Sequence, residues 1–244
     1  GRFDRPMEFG SVSSVRSLTL GDIDRDGDVD ILVTCRGRQN YFCLNDGKAS
    51  FGKAVPFGNA NDSTIAVAIA DLNKDGHPDL VLANRDRQQN YVLLNDGKTG
   101  FETRVPYGTG TDETRAVAVG DLNGDGNLDL VAANIGQPNA VFMGDGKGQF
   151  GEAANFGRAG GNSYALDVAD MNGNGSLDLI VGNAGQQNAV YFNIGSGTKY
   201  QEVKFGGASN ATYGLAVGDL DGDGKNDIVV ANSDEKNFVF LNRR

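Results

Sequence analysis

Ala116-Val117-Ala118-Val119-Gly120-Asp121-Leu122-Asn123-Gly124-Asp125-Gly126-Asn127-Leu128-Asp129-Leu130-Val131-Ala132-Ala133-Asn134 decides the fold. An alternating run of small and apolar residues, Ala116 to Gly120, has the period of two that argues a strand. A short β-branched and apolar run, Leu130 to Val131, argues a second strand. Between them lies a loop with Asp or Asn at alternate positions and glycine at the sixth. The same loop recurs with first aspartates Asp22, Asp71, Asp121, Asp170 and Asp219, spaced 49, 50, 49 and 49 residues apart. A fixed period in this range means stacked or radial repeats, so the fold is read from the unit and not from the whole chain.

Outward from the loop, each unit has the same order. An aromatic-bounded segment (Phe3 to Phe9, Phe51 to Phe57, Phe101 to Tyr107, Phe150 to Phe156, Tyr200 to Phe205) precedes a glycine and a polar loop. The alternating strand, the Asp-rich loop and the short apolar strand follow. A turn on Asn40, Asn90, Asn139, Asn188 or Asn237 leads to a further apolar strand. Four antiparallel strands per unit, with no helical periodicity, make the blade of a β-propeller. The expectation is an all-β, five-bladed propeller of four-stranded antiparallel blades forming one domain, residues 1–244, of five repeats of about 49 residues. The aromatic segment Phe3 to Phe9 precedes the first inner strand, and the last unit shows no such segment. The ring is therefore expected to close with the N-terminal strand completing the last blade, which removes exposed edges.

The loops name a ligand. Ca2+ takes six to eight oxygens, mainly carboxylate and carbonyl. Positions 1, 3 and 5 turn three side chains inward, glycine at position 6 allows the sharp turn, position 7 offers its backbone carbonyl and position 9 closes the shell. The candidate ligands are Asp22, Asp24, Asp26, Asp28 and Asp30; Asp71, Asn73, Asp75, His77 and Asp79; Asp121, Asn123, Asp125, Asn127 and Asp129; Asp170, Asn172, Asn174, Ser176 and Asp178; and Asp219, Asp221, Asp223, Lys225 and Asp227. That allows up to five Ca2+, one per blade. An EF-hand needs Glu at position 12, where this chain has Val33, Leu82, Ala132, Val181 and Val230. Positions 1, 3, 5 and 9 carry four carboxylates in the first and fifth loops, three in the second and third, and two in the fourth. The fourth loop is expected to bind most weakly.

The formal charge of -10 argues against nucleic acid and against anionic membrane surfaces. Five Ca2+ would neutralise it. No apolar run is long enough to insert in a membrane. Cys35 and Cys43 are expected to be free thiols, because a tight hairpin sets them out of register.

These residues carry a resemblance. Ala116 to Asn134, together with Val92-Leu93-Leu94-Asn95-Asp96-Gly97-Lys98-Thr99-Gly100-Phe101, resembles the FG-GAP/VCBS repeats of integrin α-chain heads and many exported bacterial proteins. The resemblance covers all five units. It implies Ca2+ between the first and second strands of each blade, on the face away from the usual ligand surface. Its members commonly close with seven or eight blades, and they include adhesion heads, a fungal lectin and accessory domains of carbohydrate-active enzymes.

Six residues before each first loop aspartate, the units carry Arg16, Ile65, Arg115, Tyr164 and Tyr213. Position-to-position variation in an otherwise regular frame, with arginine and tyrosine dominant, points to a contact surface. The candidate ligand-binding residues are Arg16, Arg115, Tyr164, Tyr213 and Asp167, the last a carboxylate in a lane of small residues. The alternative reading is that the arginines and tyrosines cap the channel mouth and that Asp167 is a hydrated structural residue. The Gln/Pro-Asn turns fit turn-making better than sugar contact. The sole histidine, His77, sits where a backbone is used and is a poor general base, and no catalytic triad assembles around it. Paired-carboxylate chemistry lacks a second uncommitted acid. The expected function is a non-catalytic, calcium-stabilised recognition module for carbohydrate, extracellular, periplasmic or on the cell surface. Protein-protein adhesion through the same face and a polysaccharide lyase are the alternatives. Either ligand, carbohydrate or protein, is expected on the propeller face opposite the calcium loops.

Overall fold

A computed structural model of the chain describes residues 5–10 and 13–243. The first blade is β1 (Val15–Gly21), β2 (Asp30–Cys35), β3 (Asn40–Cys43) and β4 (Val55–Phe57). The second is β5 (Thr64–Ala70), β6 (Asp79–Asn84), β7 (Asn90–Leu94) and β8 (Thr103–Tyr107). The third is β9 (Thr114–Gly120), β10 (Asp129–Asn134), β11 (Asn139–Phe142) and β12 (Ala154–Phe156). The fourth is β13 (Ser163–Ala169), β14 (Asp178–Asn183), β15 (Asn188–Gly195) and β16 (Lys199–Phe205). The fifth is β17 (Thr212–Gly218), β18 (Asp227–Asn232) and β19 (Phe238–Phe240). Each blade is an antiparallel sheet in chain order, four-stranded in the first four and three-stranded in the fifth. This is a five-bladed β-propeller with no helix among the described residues.

The inner strands line up side by side: β1 packs on β5, β5 on β9, β9 on β13 and β13 on β17. The alternation read from sequence sets the packing. Val67 and Ile69 on β5 face back into the first blade, beside Leu32 and Phe42. The second loop residue reaches forward: Ile23 packs with Leu80, Leu82 and Leu93 of the second blade, and Leu72 lies with Leu130 and Phe142 of the third. Burying these side chains contributes roughly 1.5–3 kcal/mol each.

Polar clamps repeat between the same faces. The Asn90 side-chain amide donates to Thr114 Oγ1 at 2.8 Å, and Thr114 Oγ1 donates to Asn134 Oδ1 at 2.8 Å. Asn40–Thr64–Asn84, Asn139–Ser163–Asn183 and Asn188–Thr212–Asn232 do the same. All four hydroxyl residues are buried. The first blade carries Val15 and Cys35 at the corresponding positions.

The expected closure by the N-terminal strand does not appear among the described residues, which leave the fifth blade three-stranded. Phe3 and Asp4 lie outside the described residues, and residues 5–9 form no strand. Phe9 instead packs on Phe51 of the first blade, ring centroids 6.0 Å apart. Gly10, at φ +69, runs so close under Tyr41 that a Cβ would collide with its ring, and such a φ favours glycine. The described part of the segment thus lies against the first blade, and among the described residues none pairs with β19. The outward faces at the two ends stay open to solvent: Leu18 is 56% exposed where its counterpart Val67 is 8%, and Leu220 is 53% exposed where Leu122 is 2%. Cys35 and Cys43 are buried free thiols, with Cys43 opposite Ile31.

Candidate functional site

The five Asp-rich loops join the first and second strands of each blade at one end of the inner strands. Position 9 is a strut. Asp30, Asp79, Asp129, Asp178 and Asp227 are buried. In each, Oδ2 accepts the N–H of loop position 2 at 2.8–2.9 Å, from Ile23, Leu72, Leu122, Met171 and Leu220. Oδ1 accepts a backbone N–H from the end of the third strand, from Asn45, Asn95, Gly144, Asn193 and Asn242. Position 1 folds the loop by accepting the N–H of the position 6 glycine (Gly27, Gly76, Gly126, Gly175 and Gly224). Those glycines have φ between +81 and +94, where a side chain is strained. Position 3 accepts from the N–H of position 5, through Asp24, Asn73, Asn123, Asn172 and Asp221. Position 5 accepts from the N–H of position 7, so Asp26, Asp75, Asp125, Asn174 and Asp223 hold Asp28, His77, Asn127, Ser176 and Lys225 by the backbone. Widely different residues fit position 7 for that reason. These bonds leave further carboxylate lone pairs free to accept.

The donor set fits a hard cation. Ligand oxygens of Asp22, Asp24 and Asp30 lie within 4.8 Å of one another, as do those of Asp219, Asp221 and Asp227. Asp22 Oδ1 and Asp71 Oδ1 are buried and have no hydrogen-bond partner, an arrangement costly for a carboxylate without a counter-charge. In the other three loops the same oxygen accepts an N–H from Gly124, Gly173 or Gly222. Arg25 and Lys74 hold that place in the first two, at φ 62 and 60. Burial raises the Asp24 carboxyl above its ordinary range, and Asp26, Asp30 and Asp22 push it further against one backbone hydrogen bond. Burial likewise pushes Asp79 up to about 6, opposed by N–H bonds from Asn95 and Leu72 and aided by Asp75 and Asp71. In the fourth loop burial also pushes Asp170 up, but N–H bonds from Gly175, Gly173, Asn174 and Asn172 outweigh it and leave the carboxyl low. In the loop with the fewest carboxylates, the leading aspartate is thus stabilised as a bare anion by backbone N–H groups.

At the other end of the inner strands, roughly 20 Å away for seven residues, lies the variable row. Each inner strand has a register shift there: Val15 pairs with Cys35 and Ser17 with Thr34, so Arg16 is the extra residue. Ile65, Arg115, Tyr164 and Tyr213 are the extra residues of the other four. A bulge re-aims its side chain out of the pleat. Here it gathers side chains from separate blades. Tyr164 and Tyr213 have ring centroids 4.5 Å apart at 48°, and the Arg115 guanidinium carbon lies 5.8 Å from the Tyr164 centroid. Arg115 is held below its ordinary pKa by burial and by the neighbouring cations Arg85 and Arg16, against the pull of Tyr164 and Tyr213. Ile65 is buried. Arg85 Nε is 3.3 Å from Glu113 Oε2, and Arg36 Nε donates to Asp86 Oδ2 at 2.9 Å.

Asp167 does not join this group. It sits three residues along β13 from Tyr164, roughly 10 Å deeper, and its Oδ1 accepts the Val168 N–H at 2.9 Å. A further N–H bond from Val217 ties it to the neighbouring inner strand, and burial raises its carboxyl. The turn asparagines are structural. Asn90 Oδ1 accepts the Asn84 N–H at 2.7 Å, and Gln89 Nε2 donates to Tyr107 O at 2.6 Å. A cleft of about 250 Å³ between the third, fourth and fifth blades, with Arg158, Gln186, Tyr191, Glu202 and Lys204 in its wall, was not foreseen. Its residues come from turns and from several strands of different units, so no spacing in the sequence marks it.

The FG-GAP-like repeat family model matches residues 22–82, 71–132, 121–181 and 170–230. Comparison with curated protein sequences finds no match. Among solved structures, the chain is similar to a lectin of Agrocybe aegerita described as recognising non-reducing terminal N-acetylglucosamine. The TM-score is 0.60 at 23% identity, covering 89% of this chain and 60% of the lectin. It is also similar to BBS1N, solved in complex with ARL6DN, with a TM-score of 0.62 at 12% identity over 94% of this chain and 66% of that one. The V. cholerae biofilm matrix protein Bap1 matches with a TM-score of 0.51 at 17% identity, over 89% of this chain and 34% of Bap1. The chain therefore spans a third to two thirds of the length of these structures.

Proposed function

This chain belongs to the FG-GAP-like repeat family, and from that premise we propose that it is a non-catalytic, Ca2+-stabilised recognition module that binds carbohydrate at the mouth opposite its Asp-rich loops. The observation that carries the reading is the convergence of Arg115, Tyr164 and Tyr213 from three blades on one bulge row. Tyrosine offers a flat apolar face with a polar tip and loses little conformational freedom on binding. The two rings, in contact and tilted at 48°, offer an apolar corner against which a sugar ring can pack. The similarity to a fungal lectin supports the same class of ligand.

Ca2+ is the ion proposed for the loops, held by the carboxylates at positions 1, 3, 5 and 9. When bound it neutralises clustered charge and cross-links the two inner strands of each blade. The chain's own residues do the rest: position 9 carboxylates tie the loop to the third strand, and the blades carry the mouth as a rigid frame. A need for Ca2+ suits an extracellular, periplasmic or cell-surface setting, where the ion is abundant.

A protein ligand at the same face is the second reading, favoured by the similarity to BBS1N, which was solved with a protein partner. A glycan-array screen in millimolar Ca2+, repeated after chelation, separates the two. Binding that Arg115→Ala with Tyr164→Ala abolishes, at unchanged melting temperature, supports the first. A blank array from folded, calcium-loaded protein refutes it. Release of unsaturated ends from an acidic polysaccharide would instead make the protein a lyase.

A further inference from the structure

Resting on the carbohydrate reading, we propose that the ligand is an acidic saccharide whose carboxylate is received by Arg115 while a sugar ring lies on Tyr164 and Tyr213. Arg115 is half-buried, and among the described residues no carboxylate pairs with it. Its charged neighbours are themselves cations, Arg85 and Arg16. Arg85 has Glu113 and Arg36 has Asp86. Among the described residues Arg115 and Arg16 have no ion pair, and of the two only Arg115 is half-buried, Arg16 being exposed. Partial burial of an unpaired charge is costly, and nothing in the packing needs it, since Ile65 fills the same position in the second blade.

The donor and acceptor balance points the same way. A neutral sugar presents hydroxyls that donate as well as accept, so its site needs acceptors. The bulge row offers two tyrosine oxygens and no carboxylate or amide. Glu113, the nearest acid in sequence, is taken up by Arg85 and the Arg87 N–H, and Asp167 lies deeper and is engaged by backbone amides. A guanidinium with no acceptor capacity matches a carboxylate, which it grips in a bidentate fork. The field agrees: 17 of the chain's 32 acidic side chains lie in the five loops. An anion approaching the opposite mouth therefore meets arginines and avoids most of the negative charge.

Calorimetric titration of the calcium-loaded chain tests this with a hyaluronan hexasaccharide, tetragalacturonate, carboxyl-reduced hyaluronan hexasaccharide and chitotetraose. The inference expects an acidic probe to bind and its carboxyl-reduced form to bind far more weakly. Arg115→Gln should weaken acidic binding on the order of 10- to 100-fold at unchanged melting temperature, the loss expected for a charge-assisted hydrogen bond. Arg115→Lys should recover part of it, because the charge remains and the fork does not. Equal binding of neutral and acidic probes, or an Arg115→Gln variant that binds as wild type, overturns the inference and leaves the carbohydrate reading standing. No binding of any of the four probes by folded protein overturns both.

Discussion

Tyr164 and Tyr213 touch with ring centroids 4.5 Å apart and planes tilted at 48°, although they belong to different blades and are 49 residues apart in the chain. One repeat length separates them, so the contact is the repeat itself made visible: the same bulge, one blade on. Each bulge adds one residue opposite the second strand and swings that side chain towards the mouth. A row that varies along a regular frame is thereby presented by the most regular part of the fold. Rigid strands, and not loops, hold the candidate site, which favours precise placement of its groups.

The inter-blade clamps should matter to stability far more than their polarity suggests. Thr114 bridges Asn90 and Asn134 and is fully buried. Thr114→Val keeps the shape and takes their partner from the buried Asn90 amide N–H and from Asn134 Oδ1, which should cost about 2–4 kcal/mol. Val15→Thr in the first blade, which has no clamp, should change stability by less than about 0.5 kcal/mol. Urea midpoints of the two variants check the contrast, and a Thr114→Val midpoint equal to wild type would remove the clamp from the account.

Leu122 and Leu220 occupy the same loop position in the third and fifth units, yet one is 2% and the other 53% exposed. Leu122 packs with Leu179, Val181 and Tyr191 of the following blade. Leu122→Ala should therefore cost about 2–5 kcal/mol. Leu220→Ala removes the same atoms from a surface and should cost under about 1 kcal/mol. Equal losses in chemical denaturation would mean that the outward face of the fifth blade is covered in solution.

The repeat, the blade and the loops were legible because each depends on local order: alternation, an Asp at every second position, glycine sixth. The period supplied the architecture. The clamps were not legible, since Asn90, Thr114 and Asn134 each read as ordinary turn or strand residues until three segments meet. The bulge was hidden too, because one extra residue leaves no trace in an alternating run. Ring closure failed for a related reason. Phe3 to Phe9 matches the outer strands in sequence, but its described part has packed on the first blade through Phe9 and Gly10, and pattern alone does not say which neighbouring sheet a strand-like segment will join.

Calcium-free protein should have an unusual pH profile. The folded-state carboxyl of Asp79 titrates near 6, above its ordinary value of 3.8, so the native state holds more protons than the unfolded one between those limits. Stability from this group is present at low pH and falls as pH rises to about 6, beyond which it is flat. Asp129 and Asp178 shift in the same direction, chiefly through burial. Asp86 runs oppositely: its bonds to Arg36 and Ser63 hold it at about 2, and that stabilisation is lost only as pH drops below about 4. In chelator the denaturation midpoint should peak at about pH 4–5. Asp79→Asn should flatten the upper limb, and an unchanged upper limb would show that Asp79 is not its source.

Adding Ca2+ should invert that profile and discriminate among the loops. An ion in the loop of Asp22, Asp24 and Asp30 favours the ionised carboxylates that burial penalises, so the calcium-loaded protein should gain stability up to neutral pH and lose it on acidification as protons compete. Stabilisation follows ligand concentration, about 2.7 kcal/mol at a free concentration 100 times the dissociation constant for one site, so chelation should lower the melting temperature sharply. The fourth loop should fill last. Asn172 and Asn174 supply neutral oxygens there, and the backbone amides already satisfy Asp170. Asn172→Asp with Asn174→Asp restores the carboxylate count of the first loop and should tighten the weakest step of a Ca2+ titration by about tenfold or more, since ligand charge is one of the two levers that set affinity in such loops. If the weakest step stays where it was, the weak site lies in another loop and carboxylate count does not rank the five.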